Sequence, residues 1–260
     1  MPDGDLLSTS LGEQRIRRTL KRAPHYLLGR AVEKFNARWP SRTYTPPTDM
    51  DAYREIQRRA RTSTDISDHL PRLFVEALQA DPNTIVELGV RGGESTFAFE
   101  RAARLTGASV VSVDVNETSY TSEYDDWRFV RADDIEFAER FKEWCSEHDV
   151  GSSIDVLFVD TSHHYDHTVT EINAWFPHLG NGAVVLFHDT NMGRIYRRED
   201  GTVDRGWDND RGVIRALEEY FDCSFDETEP FVTVSGGFVV RHYPLCSGLT
   251  VLRKVDSTLA

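Results

Sequence analysis

Two short segments of this chain carry acids and imidazoles at spacings that suit chemistry. The first is Asp155-Val156-Leu157-Phe158-Val159-Asp160-Thr161-Ser162-His163-His164-Tyr165, an apolar run that ends on an acid with a histidine three residues on. The second is Phe187-His188-Asp189-Thr190, where the apolar run from Ala183 ends on a His–Asp pair. Two hard carboxylates with open positions suit Mg²⁺ or Mn²⁺. A histidine beside them suits general-base work. His163 and His167 stand four apart, a zinc-ligand spacing on a helix, and His164 competes with His163 for any role. The bland alternative is that His163, His164, His167 and His178 are helix-start and surface residues.

A third segment, Glu87-Leu88-Gly89-Val90-Arg91-Gly92-Gly93-Glu94-Ser95, leaves an apolar strand, turns on glycines and enters a helical pattern. Glycines there let a ligand approach the backbone. It is not the dinucleotide fingerprint GxGxxG, because Arg91 takes the place of its second glycine. Glu87 at the strand end would repel a pyrophosphate and welcome an ammonium or sulfonium group. Asp114 ends the next apolar run, Val110–Val113, where an acid can accept from both ribose hydroxyls. Ala132-Asp133-Asp134 follows a third strand, where a carboxylate can meet an adenine amino group or simply cap the next helix.

These acids need elements to position them. Helices are expected over 48–61 and 66–80, then alternating strands and helices: strand 85–90, helix 95–105 closed by Gly107, strands 110–115 and 127–131, helix 135–147, strand 154–160, helix 168–179 and strand 183–188. A loop over 190–211 leads to helix 213–221 and two late strands, 231–234 and 237–243, joined tightly at Ser235-Gly236-Gly237. Five strands alternating with helices imply a mostly parallel α/β sheet covered on both faces. Carboxyl ends of parallel strands share one edge, so Asp160 and Asp189 should face one cleft.

Composition limits the partners. The chain has 260 residues, a formal charge of −13, 39% hydrophobic and 28% charged residues, which excludes collagen-like and low-complexity classes. Residues 1–61 hold 13 basic and 7 acidic residues, and 62–260 hold 17 and 36. We divide the chain there, into a basic helical extension and a catalytic domain. The acidic body argues against nucleic acid as partner. The basic stretch from Gln14 to Trp39 has patchy amphipathic spacing, read as a surface helix packed on the domain or a second subunit in preference to a membrane-surface helix. No apolar run approaches a membrane span, so no stable insertion is expected. Three scattered cysteines and no recognisable secretory signal suggest reduced thiols and a cytoplasmic protein. A homodimer is the expected assembly.

The segment Glu87-x-Gly89-x-x-Gly92-Gly93 with Asp114, Asp133 and the late hairpin resembles class I S-adenosylmethionine-dependent methyltransferases over about residues 62–245. The resemblance implies a Rossmann-like seven-stranded sheet with an antiparallel last strand. It implies S-adenosylmethionine as cosubstrate, held by Glu87, Gly89, Gly92, Ser95, Asp114, Asp133 and Asp134. The Asp160-x-x-His163 and His188-Asp189 pattern is similar to metal-dependent sugar and natural-product O-methyltransferases of the cephalosporin hydroxylase and mycinamicin-type group. That likeness assigns Asp160 and Asp189 as Mg²⁺ or Mn²⁺ ligands and His163 as base. The group carries an acid where this chain has His188, so either His188 ligates or the site has one ligand fewer and more water.

Within the group the chain resembles enzymes of O-methylated mannosides or rhamnosides, such as mycobacterial methylmannose polysaccharide methyltransferases. The implied acceptor is a saccharide or glycosylated small molecule, with Tyr196 and Trp207 of the glycine-rich loop as candidate sugar-stacking residues. The rival readings are a metal-independent or catechol-type O-methyltransferase, a nucleotide-binding oxidoreductase, and a non-catalytic scaffold.

Overall fold

The computed structural model describes residues 51–255 and the single helical position Ala31. The basic amphipathic stretch from Gln14 to Trp39 otherwise lies outside the described residues. The elements in chain order are α1 (Asp51–Arg59), a 3-10 turn (Ser67–His69), α2 (Leu70–Ala80), β1 (Thr84–Leu88), α3 (Glu94–Thr106), β2 (Ser109–Asp114), β3 (Trp127–Arg131), α4 (Asp134–Glu147), β4 (Ile154–Val159), α5 (Tyr165–Trp175), a second 3-10 turn (Phe176–His178) and β5 (Leu179–His188). The chain continues with β6 (Ile195–Arg197), β7 (Val203–Arg205), α6 (Gly212–Phe221), β8 (Phe231–Ser235), β9 (Phe238–Tyr243) and β10 (Leu249–Lys254).

Eight strands form one sheet in the order β3-β2-β1-β4-β5-β10-β9-β8. The first five are parallel neighbours, and β10 inserts antiparallel between β5 and β9. The sheet is therefore Rossmann-like with the antiparallel insertion expected, but it has eight strands and not seven. Strand β10 was missed because its first four residues are buried on both faces. A doubly buried strand shows no apolar–polar alternation to read. The expected helix 168–179 begins earlier, at Tyr165, and tightens to a 3-10 turn at Phe176. The 190–211 loop contains an antiparallel hairpin, β6–β7.

Side chains alternate across the central strands, so each strand feeds two cores. Val86, Leu88, Leu157, Val185 and Phe187 face α4, α5 and α6, where Phe137, Phe141 and the fully buried Trp175 meet. Ile85, Val156, Phe158, Val184 and Leu186 face α1, α2 and α3, with Leu70, Phe74 and Phe99. Ile56 of α1 is fully buried in this second core. The two cores hold five strand ends in register and leave their carboxyl edge for the site. Among the described residues no helix is long and apolar enough to cross a membrane. All three cysteines are free.

Candidate active site

The glycine turn after β1 sets the floor of the site. Gly89 has φ +86°, and a Cβ there would stand 2.1 Å from the Asp160 carbonyl oxygen, so only glycine lets the ends of β1 and β4 approach. The turn is tied down by Asp114 at the end of β2. Its Oδ2 accepts from the Val90 and Arg91 amides at 2.9 and 3.0 Å. Its Oδ1 accepts from the amide and side chain of Asn116 at 2.8 and 3.2 Å. Burial works against ionising Asp114, but these donors prevail and hold its pKa below the usual value.

Glu87 lies one strand position before Leu88, so it faces α3 and is fully buried. It accepts from Ser95 at 2.6 Å, Thr96 at 2.8 Å and Ser112 at 2.5 Å. Burial pushes its carboxyl up to about 7 in spite of those bonds. Glu87 and Ser95 thus join β1, β2 and the first turn of α3.

Gly89, Asp114, Asp133, Asp134 and Asp160 line one cavity of about 410 Å³, with Arg91, Asn116, Thr161, Ser162 and His167. That volume is in the range of small-ligand sites. Glu87, Gly92 and Ser95 do not line it. Asp133 caps α4, accepting from the Ile135 and Glu136 amides at 3.0 and 3.1 Å. Asp134 pairs with His167 at 3.2 Å.

At the neighbouring strand ends, donor atoms of Asp160, His163 and Asp189 lie within 4.8 Å of one another. His163 has φ +59° and Asp189 φ +57°, left-handed positions that turn both side chains at the strand ends. His163 Nδ1 is 3.1 Å from Asp189 Oδ2 and 3.8 Å from Asp160 Oδ1. His188 is almost fully buried, and its Nδ1 is 3.2 Å from Oδ1 of both acids. Burial opposes charging His188, but Asp189 and Asp160 overcome it and set its pKa well above the usual value. Burial likewise opposes ionising Asp160, and His188, His163 and Arg91 outweigh it, so its pKa is lowered. The structure places His163, and not His188, in the converging trio. His188 instead braces both carboxylates through one nitrogen.

Trp207 sits beside both histidines, its ring centroid 5.8 Å from that of His163 and of His164. Tyr196 is buried in the β6–β7 hairpin, where Gly206 packs on its ring, so it is less available to a ligand than Trp207. The hairpin is pinned by Arg198, which donates to the Thr64 carbonyl at 2.8 Å, to Asp68 at 2.8 Å and to Ser67. Asn209 donates to the Asp189 carbonyl at 3.1 Å. Gly212 opens α6 so close to His163 that a Cβ would stand 2.4 Å from the His163 carbonyl oxygen. Asn116 and Asn209 escaped sequence reasoning, which paired His167 with His163 and not with Asp134. Asn116 lay within view, two residues past Asp114, but the Asn209 contact spans 20 residues and left no local signal.

Residues 86–190 match the family model described as a methyltransferase domain. That stretch of the chain is a methyltransferase domain. No curated protein matches its sequence. Solved structures share its fold. The MycE methyltransferase of the mycinamycin biosynthetic pathway, in complex with Mg, S-adenosylhomocysteine (SAH) and mycinamycin VI, superposes with a TM-score of 0.52 at 18% identity, over 80% of this chain and 54% of MycE. The chain thus spans about half of MycE. The SAH-bound Podospora anserina methyltransferase PaMTH1 gives 0.50 at 15% identity over 98% of each chain. Cofactor-bound Rv0187 from MTB gives 0.51 at 13% identity, over 83% of this chain and all of that one (100%). The chain therefore shares the fold of these solved methyltransferases, and its strand β8 lies at the sheet edge beyond β9.

Proposed function

We propose that this methyltransferase moves a methyl group from S-adenosylmethionine to a sugar hydroxyl of a mannoside- or rhamnoside-type saccharide or glycosylated natural product, with a divalent ion at Asp160 and Asp189. The observation that carries the reading is the convergence of Asp160, His163 and Asp189 beside the cavity that contains Asp114. The donor set fits a hard ion. It is rich in carboxylate oxygen, and Asp160 and the nearly buried Asp189 bring theirs together from two neighbouring strand ends. MycE, solved with Mg, SAH and mycinamycin VI, supports the same assignment.

When bound, Mg²⁺ or Mn²⁺ supplies Lewis acidity that makes a hydroxyl easier to deprotonate, and the cosubstrate supplies an electrophilic methyl group. The protein's own residues do the rest. Asp189 accepts from His163 Nδ1, which fixes the tautomer and leaves Nε2 to take the acceptor's proton. Asp114 Oδ1 would accept from a ribose hydroxyl in the place of the Asn116 side-chain amide, and Asp133 would offer its carboxylate to the adenine amino group while capping α4. Trp207 offers a half-exposed indole beside the base on which a sugar ring stacks. The homodimer and the cytoplasmic setting belong to the same proposal, and light scattering tests the dimer.

An acceptor screen by mass spectrometry, run with and without EDTA, tests the function. Methyl ethers on saccharides in Mg²⁺ and none in EDTA are expected. Transfer to phenols only favours the catechol-type alternative. Full transfer in chelator removes the metal.

A further inference from the structure

A second cluster of donors stands apart from the trio at Asp160. Asp134 opens α4, and His167 and Glu171 are four residues apart on α5, so they share one helix face. We propose that Asp134, His167 and Glu171 form a separate site for a zinc-class divalent ion that clamps α4 to α5.

Three observations carry the assignment. First, the distances suit one centre. His167 Nε2 is 3.2 Å from Asp134 Oδ1 and 3.5 Å from Glu171 Oε1, and the three donors lie within 4.8 Å of one another. A tetrahedral ion with bonds of about 2.0–2.1 Å has ligand–ligand edges of about 3.3–3.4 Å. Second, both acids keep a buried oxygen with no partner. Asp134 is 6% and Glu171 1% exposed, and Asp134 Oδ2 and Glu171 Oε2 receive no hydrogen bond. A buried carboxylate oxygen left bare is costly, and a cation is the partner that answers it. Third, the ligands are held from behind. Thr161 donates its hydroxyl to Glu171 Oε1, the kind of outer contact that orients a metal ligand.

Charge points the same way. A divalent ion would take the place of the proton that Asp134 and Glu171 otherwise hold on the His167 imidazole, as metal binding at a histidine requires. The imidazole nitrogen and tetrahedral edges favour Zn²⁺ over Mg²⁺, which demands octahedral oxygen donors. Asp134 and His167 line the cavity, so a water there completes the fourth position.

The test uses the full chain, stripped with EDTA, desalted, and titrated with Zn²⁺ by calorimetry in saturating Mg²⁺. One equivalent of Zn²⁺ should bind. His167→Gln and Glu171→Gln should each weaken it by at least about 100-fold, beyond the 10–100-fold typical of outer-shell changes. Asp160→Asn should leave it unchanged. Co²⁺ in place of Zn²⁺ should give the visible absorbance of a tetrahedral ion, and His167→Gln should lose it. Circular dichroism and SAH binding confirm that each variant is folded. Zn²⁺ binding that survives both helix-face variants, or is lost only in Asp160→Asn, overturns the proposal. Absence of Zn²⁺ binding in the parent also overturns it, and the trio is then an ion-paired brace only.

Discussion

The carboxyl edge of the sheet has two halves that treat acids differently. At β1–β3, Glu87 accepts from three hydroxyls and Asp114 from four donors, all belonging to the chain itself. At β4–β5, the side chains paired with Asp160 and Asp189 are two histidines, His163 and His188, and among the described residues no backbone amide is bound to either acid. A carboxylate has about four lone-pair sites. Where the chain fills them the acid builds shape, and where it leaves them open the acid is ready for a ligand. Under the proposed function the first half would be a mould for the cosubstrate, and the second would be where reactivity is placed.

The largest effect should come from the open half. Asp160→Asn and Asp189→Asn keep the shape and remove the charge, and each should abolish turnover, more than the roughly 100-fold seen for changes behind metal ligands. EDTA should do the same, with Mg²⁺ or Mn²⁺ restoring the parent and not the variants. Mass-spectrometric turnover with SAH affinity measured alongside checks this. A variant that keeps turnover breaks the division between the halves.

Next comes the base. His163→Ala should lower kcat by about 10²–10⁴, the usual worth of a general base, with SAH affinity unchanged. His164, exposed at the N-cap of α5 with no side-chain capping bond, should cost less than tenfold as alanine. Steady-state kinetics on both separates them. If His164→Ala is the damaging change, the base has been placed one residue too early.

The parallel core was legible because each strand–helix alternation carries its own period, and β3 was read at its observed bounds, Trp127–Arg131. The convergence of Asp160 with Asp189 was legible too, since strand ends of a parallel sheet must share an edge. The partners of the acids were not. Glu87 reads as a ligand-facing charge in the sequence, yet strand alternation turns it toward α3, where hydroxyls from two elements meet it. His188 reads either as a metal ligand or as a place where the site has one ligand fewer, and only the fold shows its Nδ1 at 3.2 Å from both acids. The β6–β7 hairpin depends on Arg198 reaching back about 130 residues, to Thr64 and Ser67. Such contacts leave no periodic trace.

A moderate effect should mark the filled half. Asp114→Ala should weaken cosubstrate binding by about 1.5–3 kcal/mol, the loss of charge-assisted hydrogen bonds. Part of that comes from releasing the Val90 and Arg91 amides, which shape the turn. Asn116→Ala separates the parts. Its side chain holds Oδ1 at 3.2 Å, the site a ribose hydroxyl would take. Removing it should leave binding unchanged or slightly tighter in calorimetry with SAH. A loss as large as that of Asp114→Ala would make Asn116 itself the ribose contact.

The smallest effect is one of stability, and it separates two acids of the same half by sign. Glu87 has its pKa pushed from 4.5 to about 7 by burial. Below about pH 4.5 both native and unfolded chains carry its proton, and burial exacts no ionisation penalty. Between 4.5 and 7 the unfolded chain releases the proton while the native chain keeps it, so stability falls as pH rises, and the fall levels off above 7. At about 1.4 kcal/mol per pH unit, that window sets an upper bound of about 3–4 kcal/mol. Asp114 runs oppositely. Its pKa is lowered, so its stabilisation is present above 3.8 and is lost as pH falls through the native value. Glu87→Gln keeps one acceptor oxygen, turns the other into an amide that the hydroxyls must rotate to accept from, and cannot ionise. Urea unfolding from pH 5 to 8 should therefore show a flatter curve for Glu87→Gln than for the parent, and greater stability at pH 8. Asp114→Asn should leave that window unchanged and alter the acid limb below pH 4. If Glu87→Gln tracks the parent across pH 5–8, the Glu87 carboxyl is already ionised there. Its three hydroxyls would then hold a charge as firmly as the backbone amides hold Asp114, and both acids of the filled half would act through one mechanism.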